Sequence, residues 1–227
     1  MRQEFTANVS HELKTPLTSI SGYAELIETG IAKPEDTPGF ARKIHVEASR
    51  MIQLVNDILQ LSHLDNVSET GAAPAMETVD LLDVARECVE RQKVNARHSY
   101  ISLTYLGESA PVTGSRVLLD ELCQNLCDNA IRYNRPGGKV QIITACTRDG
   151  HCTLTVKDNG IGIPKEAQTS VFERFYRVDK SRSKATGGTG LGLAIVKHIA
   201  RIHNARIKLD SVVDEGTTIT VIFETAS

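Results

Sequence analysis

Across residues 38–65 the apolar side chains Ile44, Met51 and Ile58 return every seven positions, and Phe40, Leu54 and Leu61 keep the same period with Glu47 interrupting. This spacing predicts a helix with a bundle-type seam. Residues 1–29 place Phe5, Val9, Leu13, Leu17, Ile20, Ala24 and Ile27 at three- and four-residue steps, and TGIAKPEDTPG between the two runs carries Gly and Pro turn signals. The expectation is a helical hairpin. A hairpin cannot bury its own apolar stripe, so residues 1–65 are expected to form a homodimer closed as a four-helix bundle.

The pattern changes after Asp65, where NVSETGAAPAMET is small, polar and unpatterned, as a linker should be. The expected domains are residues 1–66 and 76–227, with a linker at 67–75. Downstream, the spacing predicts a helix at 81–97, a strand at 100–106, a helix at 116–133, and strands at 139–147 and 151–158. Residues 162–188 have no period. LGLAIVKHIARIH returns to helical spacing, while RIKLDSV and TTITVIFET are rich in β-branched residues and read as strands. The predicted fold is an all-α hairpin dimerising into a four-helix bundle, followed by an α+β two-layer sandwich.

A length of 227 residues with 41% hydrophobic content supports two cores more readily than one. The 26 basic and 28 acidic side chains nearly cancel, so no bulk field draws nucleic acid or anionic lipid, and any phosphate recognition must be local. The five cysteines, at 88, 123, 127, 146 and 152, are an odd number without a CxxC pair. That argues against a disulfide framework and a zinc site, and fits a reducing compartment. Cys123 and Cys127 share a helical face and read as small core residues. No segment approaches the ~20 apolar residues of a spanning helix, and MRQEFTANVSHEL has no apolar signal core, so no membrane contact is expected within the chain.

Two glycine motifs carry candidate chemistry, DNGIGIP at 158–164 and GGTGLGLAIV at 187–196. Glycine lets backbone approach a ligand closely, and the second run opens into a helix whose first amides favour an anion. A phosphate cradle and a tight turn are both compatible with that run. A dinucleotide fingerprint is not, because these glycines follow a long polar loop near the chain end instead of a first strand. Asn125 and Asn129 lie four apart on one helix face, with Arg132 and Tyr133 at its end. Their carbonyl oxygens suit Mg²⁺ beside phosphate, Arg132 can neutralise phosphate, and Tyr133 offers a ring to a base. A solvated helix face is the plainer alternative.

NLCDNAIRYN, DNGIGIP, VFERFYR and GTGLGLAIV, in this order, resemble the asparagine, first glycine, phenylalanine and second glycine boxes of histidine kinases, and FTANVSHELKTPLTSI resembles their phospho-acceptor box. The resemblance implies an ATP site in which Asn129 coordinates Mg²⁺ beside Asn125, Asp158 accepts from the adenine amine, and Gly160 and Gly162 let the ring approach. It further implies nucleotide contacts at Gly188, Thr189, Gly190, Leu191, Gly192 and Thr217. Residues from Ile163 to about Gly188 would be an ATP lid, anchored by Phe172 and Phe175, with Arg177 and Lys180 available to the phosphates. The polar, Gly-rich DKSRSKATGGTG within it should order only with nucleotide.

By the same resemblance His11 is the phosphorylated nucleophile, Glu12 takes its proton, and Thr15 completes an ExxT pattern associated with dephosphorylating the partner regulator. Pro16 bends the helix locally. Related gyrase-type ATPases have Glu where Asn125 stands, and an amide cannot serve as general base for water. Three departures accompany the match: Arg132 where Lys is common, Asn134 after Tyr133, and Ile219 where an aromatic often follows GTT. The implied function is autophosphorylation on His11 and transfer to an Asp of a response-regulator receiver domain, in the cytoplasmic portion of a bacterial plasma-membrane sensor. The rivals are a degenerate dimeric scaffold and a protein acting mainly as a phosphatase.

Overall fold

The structure, a computed structural model, describes residues 2–70, 74–147, 149–179 and 188–224. By its contacts the chain divides into two units, residues 1–60 with 187–189, and residues 61–186 with 190–227.

The first unit is the expected hairpin. Helix α1 spans Arg2–Glu28 and helix α2 spans Thr37–Thr70. α1 stops where Gly30 turns to φ 70°, a conformation glycine adopts without steric penalty. Tyr23 stacks on Phe40 across the hairpin with ring centroids 5.6 Å apart, and Lys43 lies 5.2 Å over the Tyr23 ring. Leu54 is buried, whereas Leu17, Ile52, Val55 and Leu59 are exposed. Ile52, Val55 and Leu59 follow three- and four-residue steps, so one face of α2 remains apolar and open. α2 runs past the expected end at residue 65 because Asn66–Thr70 contains neither Gly nor Pro and a formed helix propagates at little cost. Part of the expected linker, residues 71–73, lies outside the described residues.

The second unit is a sheet layer under a helix layer. Its elements after α2 are β1 (Glu77–Asp80), α3 (Leu81–His98), β2 (Ser102–Gly107), β3 (Pro111–Gly114), α4 (Arg116–Arg132), β4 (Lys139–Cys146) and β5 (His151–Asp158). A short 3₁₀ turn (Lys165–Ala167), α5 (Gly192–Ile202), β6 (Arg206–Val212) and β7 (Gly216–Glu224) complete it. The main sheet has the order β2-β4-β5-β7-β6, parallel at β2–β4 and antiparallel elsewhere. Alternation places Val140, Ile142, Leu154, Val156, Val221 and Phe223 on the one buried face. Three helices cover it through Leu81, Val84 and Cys88 of α3, Leu119, Leu122 and Leu126 of α4, and Ile195 and Ile199 of α5. Each fully buried Leu or Ile contributes roughly 1.5–3 kcal/mol.

Two features depart from the sequence reading. β1 and β3 pair as a separate antiparallel ribbon, Val79 opposite Val112. Each is four residues long, too short for an alternation to register against turn composition. The second departure corrects the cysteine reading. Cys88, Cys123 and Cys127 are free and buried, as core residues should be, but Cys146 and Cys152 are joined in a disulfide. Nothing in their spacing signals this. The register of β4 against β5 sets them directly opposite each other.

Candidate active site

In the first unit, His11 is exposed on α1 and Glu12 is half-buried beside it. Arg50 of α2, with 12% of its side chain exposed, sets a guanidinium 3.7 Å from the Glu12 carboxylate and 3.9 Å from Glu47. Thr15 is half-buried, and its hydroxyl donates to the His11 carbonyl at 3.2 Å. Pro16 is buried inside α1 and brings no N–H to its hydrogen-bond ladder. Gly188 and Thr189 also group with this unit, where the Thr189 hydroxyl donates to the buried Asp57 carboxylate at 2.6 Å.

The second unit gathers its polar residues at the ends of α4, β5, α5 and β7. Asn125 donates its side-chain N–H to the Glu121 carbonyl at 3.0 Å, which leaves its Oδ1 toward the start of α5. A Cβ added at Gly192 would lie 3.0 Å from that oxygen and 3.5 Å from the Asn129 amide nitrogen. Glycine there keeps a narrow space between two asparagines and the first amides of α5. The Asn125 oxygen and the Asn129 side-chain amide thus face a helix N-terminus, and the carbonyl oxygens of these two residues are the donor type that could hold Mg²⁺ beside phosphate.

Asp158 ends β5 with its Oδ1 accepting from the Gly160 amide at 2.8 Å and the Thr217 amide at 3.3 Å. Burial pushes its carboxyl above the ordinary range, against those two bonds. Its Oδ2 has no partner in that turn, so a ligand N–H donor there would stabilise the ionised form. The DNGIGIP loop is fixed closely around it. Gly160 packs on the Tyr133 carbonyl, which itself accepts from Ile161 N at 3.1 Å, and Gly162, at φ 68°, packs on the Val212 carbonyl. A Cβ at either glycine would overlap backbone.

Other expected residues fall into place unevenly. Phe175 donates its amide to the Gly190 carbonyl at 2.9 Å, and Arg177 Nε would lie 3.2 Å from a Cβ at Gly190, so both flank the entrance to α5. Leu191 is fully buried at the N-cap of that helix. Phe172 is half-buried. Arg132 is engaged by Asp128 on its own helix at 2.8 Å, and Tyr133 is the C-cap of α4. Lys180 and the rest of 180–187 lie outside the described residues.

Sequence reasoning missed three supports. Ser211 accepts from Ile163 N at 2.8 Å and lies 2.9 Å from the Thr217 hydroxyl, joining the loop to β7. Gln168 donates to both the Ile163 and Ser211 carbonyls at 2.9 Å. Arg50 reaches Glu12 from the other helix of the hairpin. Each acts across a tertiary contact, which local spacing does not record.

Residues 114–227 match the family model of the histidine kinase-, DNA gyrase B- and HSP90-like ATPases, and residues 1–67 match that of the His Kinase A phospho-acceptor domain. The chain belongs to the sensor histidine kinases. This histidine kinase chain is 44% identical over 225 residues to the sensor-like histidine kinase SenX3 of Mycolicibacterium smegmatis, covering 97% of this chain and 56% of that protein. It is 40% identical over 220 residues to the sensor protein kinase WalK of Staphylococcus haemolyticus, covering 96% of this chain and 36% of that protein. The chain thus spans about half, or less, of these relatives. Among solved structures, the mycobacterial sensor histidine kinase MprB is 32% identical with a TM-score of 0.57, over 66% of this chain and 97% of that one. The Acinetobacter baumannii histidine kinase AdeS agrees in fold with a TM-score of 0.72 at 24% identity, over 96% of this chain and 98% of that one. Among the described residues, no helix is long and apolar enough to cross a membrane.

Proposed function

We propose that this chain is the catalytic portion of a two-component sensor kinase, which phosphorylates His11 from ATP and passes the phosphoryl group to an Asp of a response-regulator receiver domain. The observation that carries it is the meeting of Asn125, Asn129 and the α5 N-terminus near Gly192, in a chain that also exposes His11 next to Glu12. Residues 1–66 act as the dimerisation and phospho-acceptor domain, 67–75 as the linker and 76–227 as the ATP-binding domain. The full protein is a membrane-anchored sensor with this portion in the cytoplasm.

Asp158 takes the adenine amine on the carboxylate oxygen its own turn leaves available, while Gly160 and Gly162 admit the ring edge and Thr217 holds Asp158 in place. Asn129, with Asn125 beside it, would hold Mg²⁺, and that ion would supply neutralisation of phosphate-oxygen charge. The α5 amides after Gly190 and the Arg177 guanidinium receive the phosphate chain, with Lys180, Gly188 and Thr189 as further phosphate contacts. Arg132 and Tyr133 border the site from α4. His11 then attacks the γ-phosphorus in line, breaking its bond to the β–γ bridging oxygen so that ADP leaves, and Glu12 accepts the imidazole proton. Arg50 keeps positive charge beside Glu12, which orients that carboxylate. Positioning and charge neutralisation supply most of the acceleration. Thr15 serves a separate, opposing reaction, in which it positions a water that hydrolyses the regulator's phosphoryl group and releases inorganic phosphate.

The test is incubation of the purified chain with Mg²⁺ and γ-labelled ATP, beside His11→Gln. Acid-labile, alkali-stable label that the substitution abolishes is the expected result. Full ATP binding without label on the wild-type chain would overturn the kinase reading in favour of a scaffold or a phosphatase.

A further inference from the structure

The β4–β5 ladder holds a chemistry that phosphoryl transfer does not use. Cys146 and Cys152 are the last pair of its register and are covalently joined, with Cα atoms 4.1 Å apart. In the next pair outward the Thr147 amide donates to the His151 carbonyl at 2.8 Å. The cysteines therefore occupy a non-hydrogen-bonded position, the type that brings facing side chains closest. Six further register pairs hold the same two strands without the sulfurs, so both thiols stay face to face after reduction.

Two observations distinguish this pair from an inert staple. Cys152 Sγ lies 3.6 Å from the Pro111 carbonyl oxygen of β3, an acceptor that only the reduced S–H can use. Each oxidation state therefore has its own partner. Cys146 is partly exposed, whereas Cys152, Cys88, Cys123 and Cys127 are buried, so a solution reagent reaches Cys146 first.

We propose that Cys146 and Cys152 form a reversible dithiol–disulfide site whose reaction partners are low-molecular-weight disulfides and thiols, and that oxidation staples the nucleotide-binding sheet at the end away from the nucleotide. The Cys146 thiolate attacks one sulfur of a small disulfide XS–SX, forming a mixed disulfide and releasing XS⁻. Cys152 then attacks the Cys146 sulfur and releases the second XS⁻. The two cysteine protons end on the two leaving thiolates. The balance is two protein thiols plus XS–SX giving one protein disulfide plus two XSH, and reduction runs the same exchanges backward. Asp158 closes the opposite end of β5, about 20 Å away at the rise of an extended strand, so the staple stiffens the sheet and leaves the ligand contacts unchanged.

The experiment equilibrates the whole chain with oxidised or reduced glutathione, blocks free thiols under denaturing conditions and digests with trypsin, which cuts after Lys139, Arg148 and Lys157. Oxidised protein should yield residues 140–148 joined to 149–157, and reduced protein the same two peptides separately blocked. The oxidised form should melt about 5 °C higher, a difference absent in Cys146→Ser. MgATP affinity should agree within twofold between the two forms. Blocked peptides after oxidation, a lasting glutathione adduct on Cys146, or pairing with Cys88, Cys123 or Cys127 would overturn the site, and the peptide map does so without any variant. An equal melting temperature in both forms would overturn the staple, and a larger change in ATP affinity would overturn its separation from the nucleotide site.

Discussion

Asp158 holds a negative charge where the fold disfavours one. Burial raises its carboxyl above the ordinary value, and the Gly160 and Thr217 amides recover only part of that cost. Because the folded state holds the proton more tightly than the unfolded chain, this group's contribution to stability falls as pH rises from ~3.9 through its raised folded value. Asp158→Asn keeps an oxygen for both amides and removes the buried charge. Without nucleotide it should melt at or above the wild-type temperature at pH 7, while ATP affinity drops at least tenfold, ~1.4 kcal/mol, since an amide nitrogen would then face the adenine amine. Calorimetric melting and nucleotide titration of the same samples check both halves; a variant that melts lower and binds ATP normally would remove Asp158 from the site. Asn125 and Asn129 drew attention by residue type and spacing, and Asp158 by the resemblance of DNGIGIP to the first glycine box. Arg50 did not, since its distance from Glu12 depends on the register of α2 against α1.

Two junctions between elements hold the second unit in shape. Asp80 caps α3 by accepting from Leu82 N at 2.9 Å, and it reaches across to Ala110 N at 2.9 Å and the Ser109 hydroxyl at 2.6 Å. Desolvation is the largest single influence on its carboxyl and pushes upward, yet the bonds from Ser109, Ala110 and Leu82 together hold it below the usual value. This contribution is present above ~3.9 and is lost as pH falls through the depressed folded value. Asp80→Ala should lower unfolding free energy by about 2 kcal/mol at pH 7 in urea titrations. His203 makes the second junction: its Nε2 accepts from Ser115 N at 3.0 Å and its Nδ1 donates to the Ile199 carbonyl at 2.8 Å. This ties the end of α5 to the start of α4, the two helices that carry Gly192 and the asparagines. Acceptance from Ser115 requires the neutral ring, and burial lowers its pKa against the Ile199 bond, which a protonated ring would keep. The unfolded chain therefore binds the proton more readily, and stability should fall as pH drops below ~6.5 toward the folded value. Urea unfolding at pH 5.5 and 7.5 should differ in that direction, and His203→Gln should shrink the difference. The sequence announced α5 by its period, but the seating of His203 against Ser115, 88 residues away, came only with the packing.

For the whole molecule the open question is what covers the hairpin. Ile52 and Leu59 are 63% and 64% exposed on one face of α2, and Leu17 of α1 is also exposed. A second copy covering this stripe would bury Ile52, Val55 and Leu59 of α2, each contributing roughly 1.5–3 kcal/mol. The wild-type chain should therefore sediment as a dimer at micromolar concentration. Ile52→Glu combined with Leu59→Glu should weaken association by at least a hundredfold, ~2.7 kcal/mol, with little loss of helicity. A wild-type monomer under those conditions would remove the four-helix bundle from the account.

The sequence by itself determined the helices and long strands, because each carries a period over enough residues to outweigh local noise; spacing alone left the glycine run open between a phosphate cradle and a tight turn and the asparagines open to a solvated face, and it was the resemblance to histidine kinases that assigned them a chemistry. Tertiary structure decided what depends on two distant segments meeting. The four-residue strands β1 and β3 exist by pairing with each other, and Ser211 and Gln168 matter because β6 passes behind the DNGIGIP loop. Cys146 and Cys152 are bonded because an antiparallel register, which no count of cysteines reveals, sets them face to face.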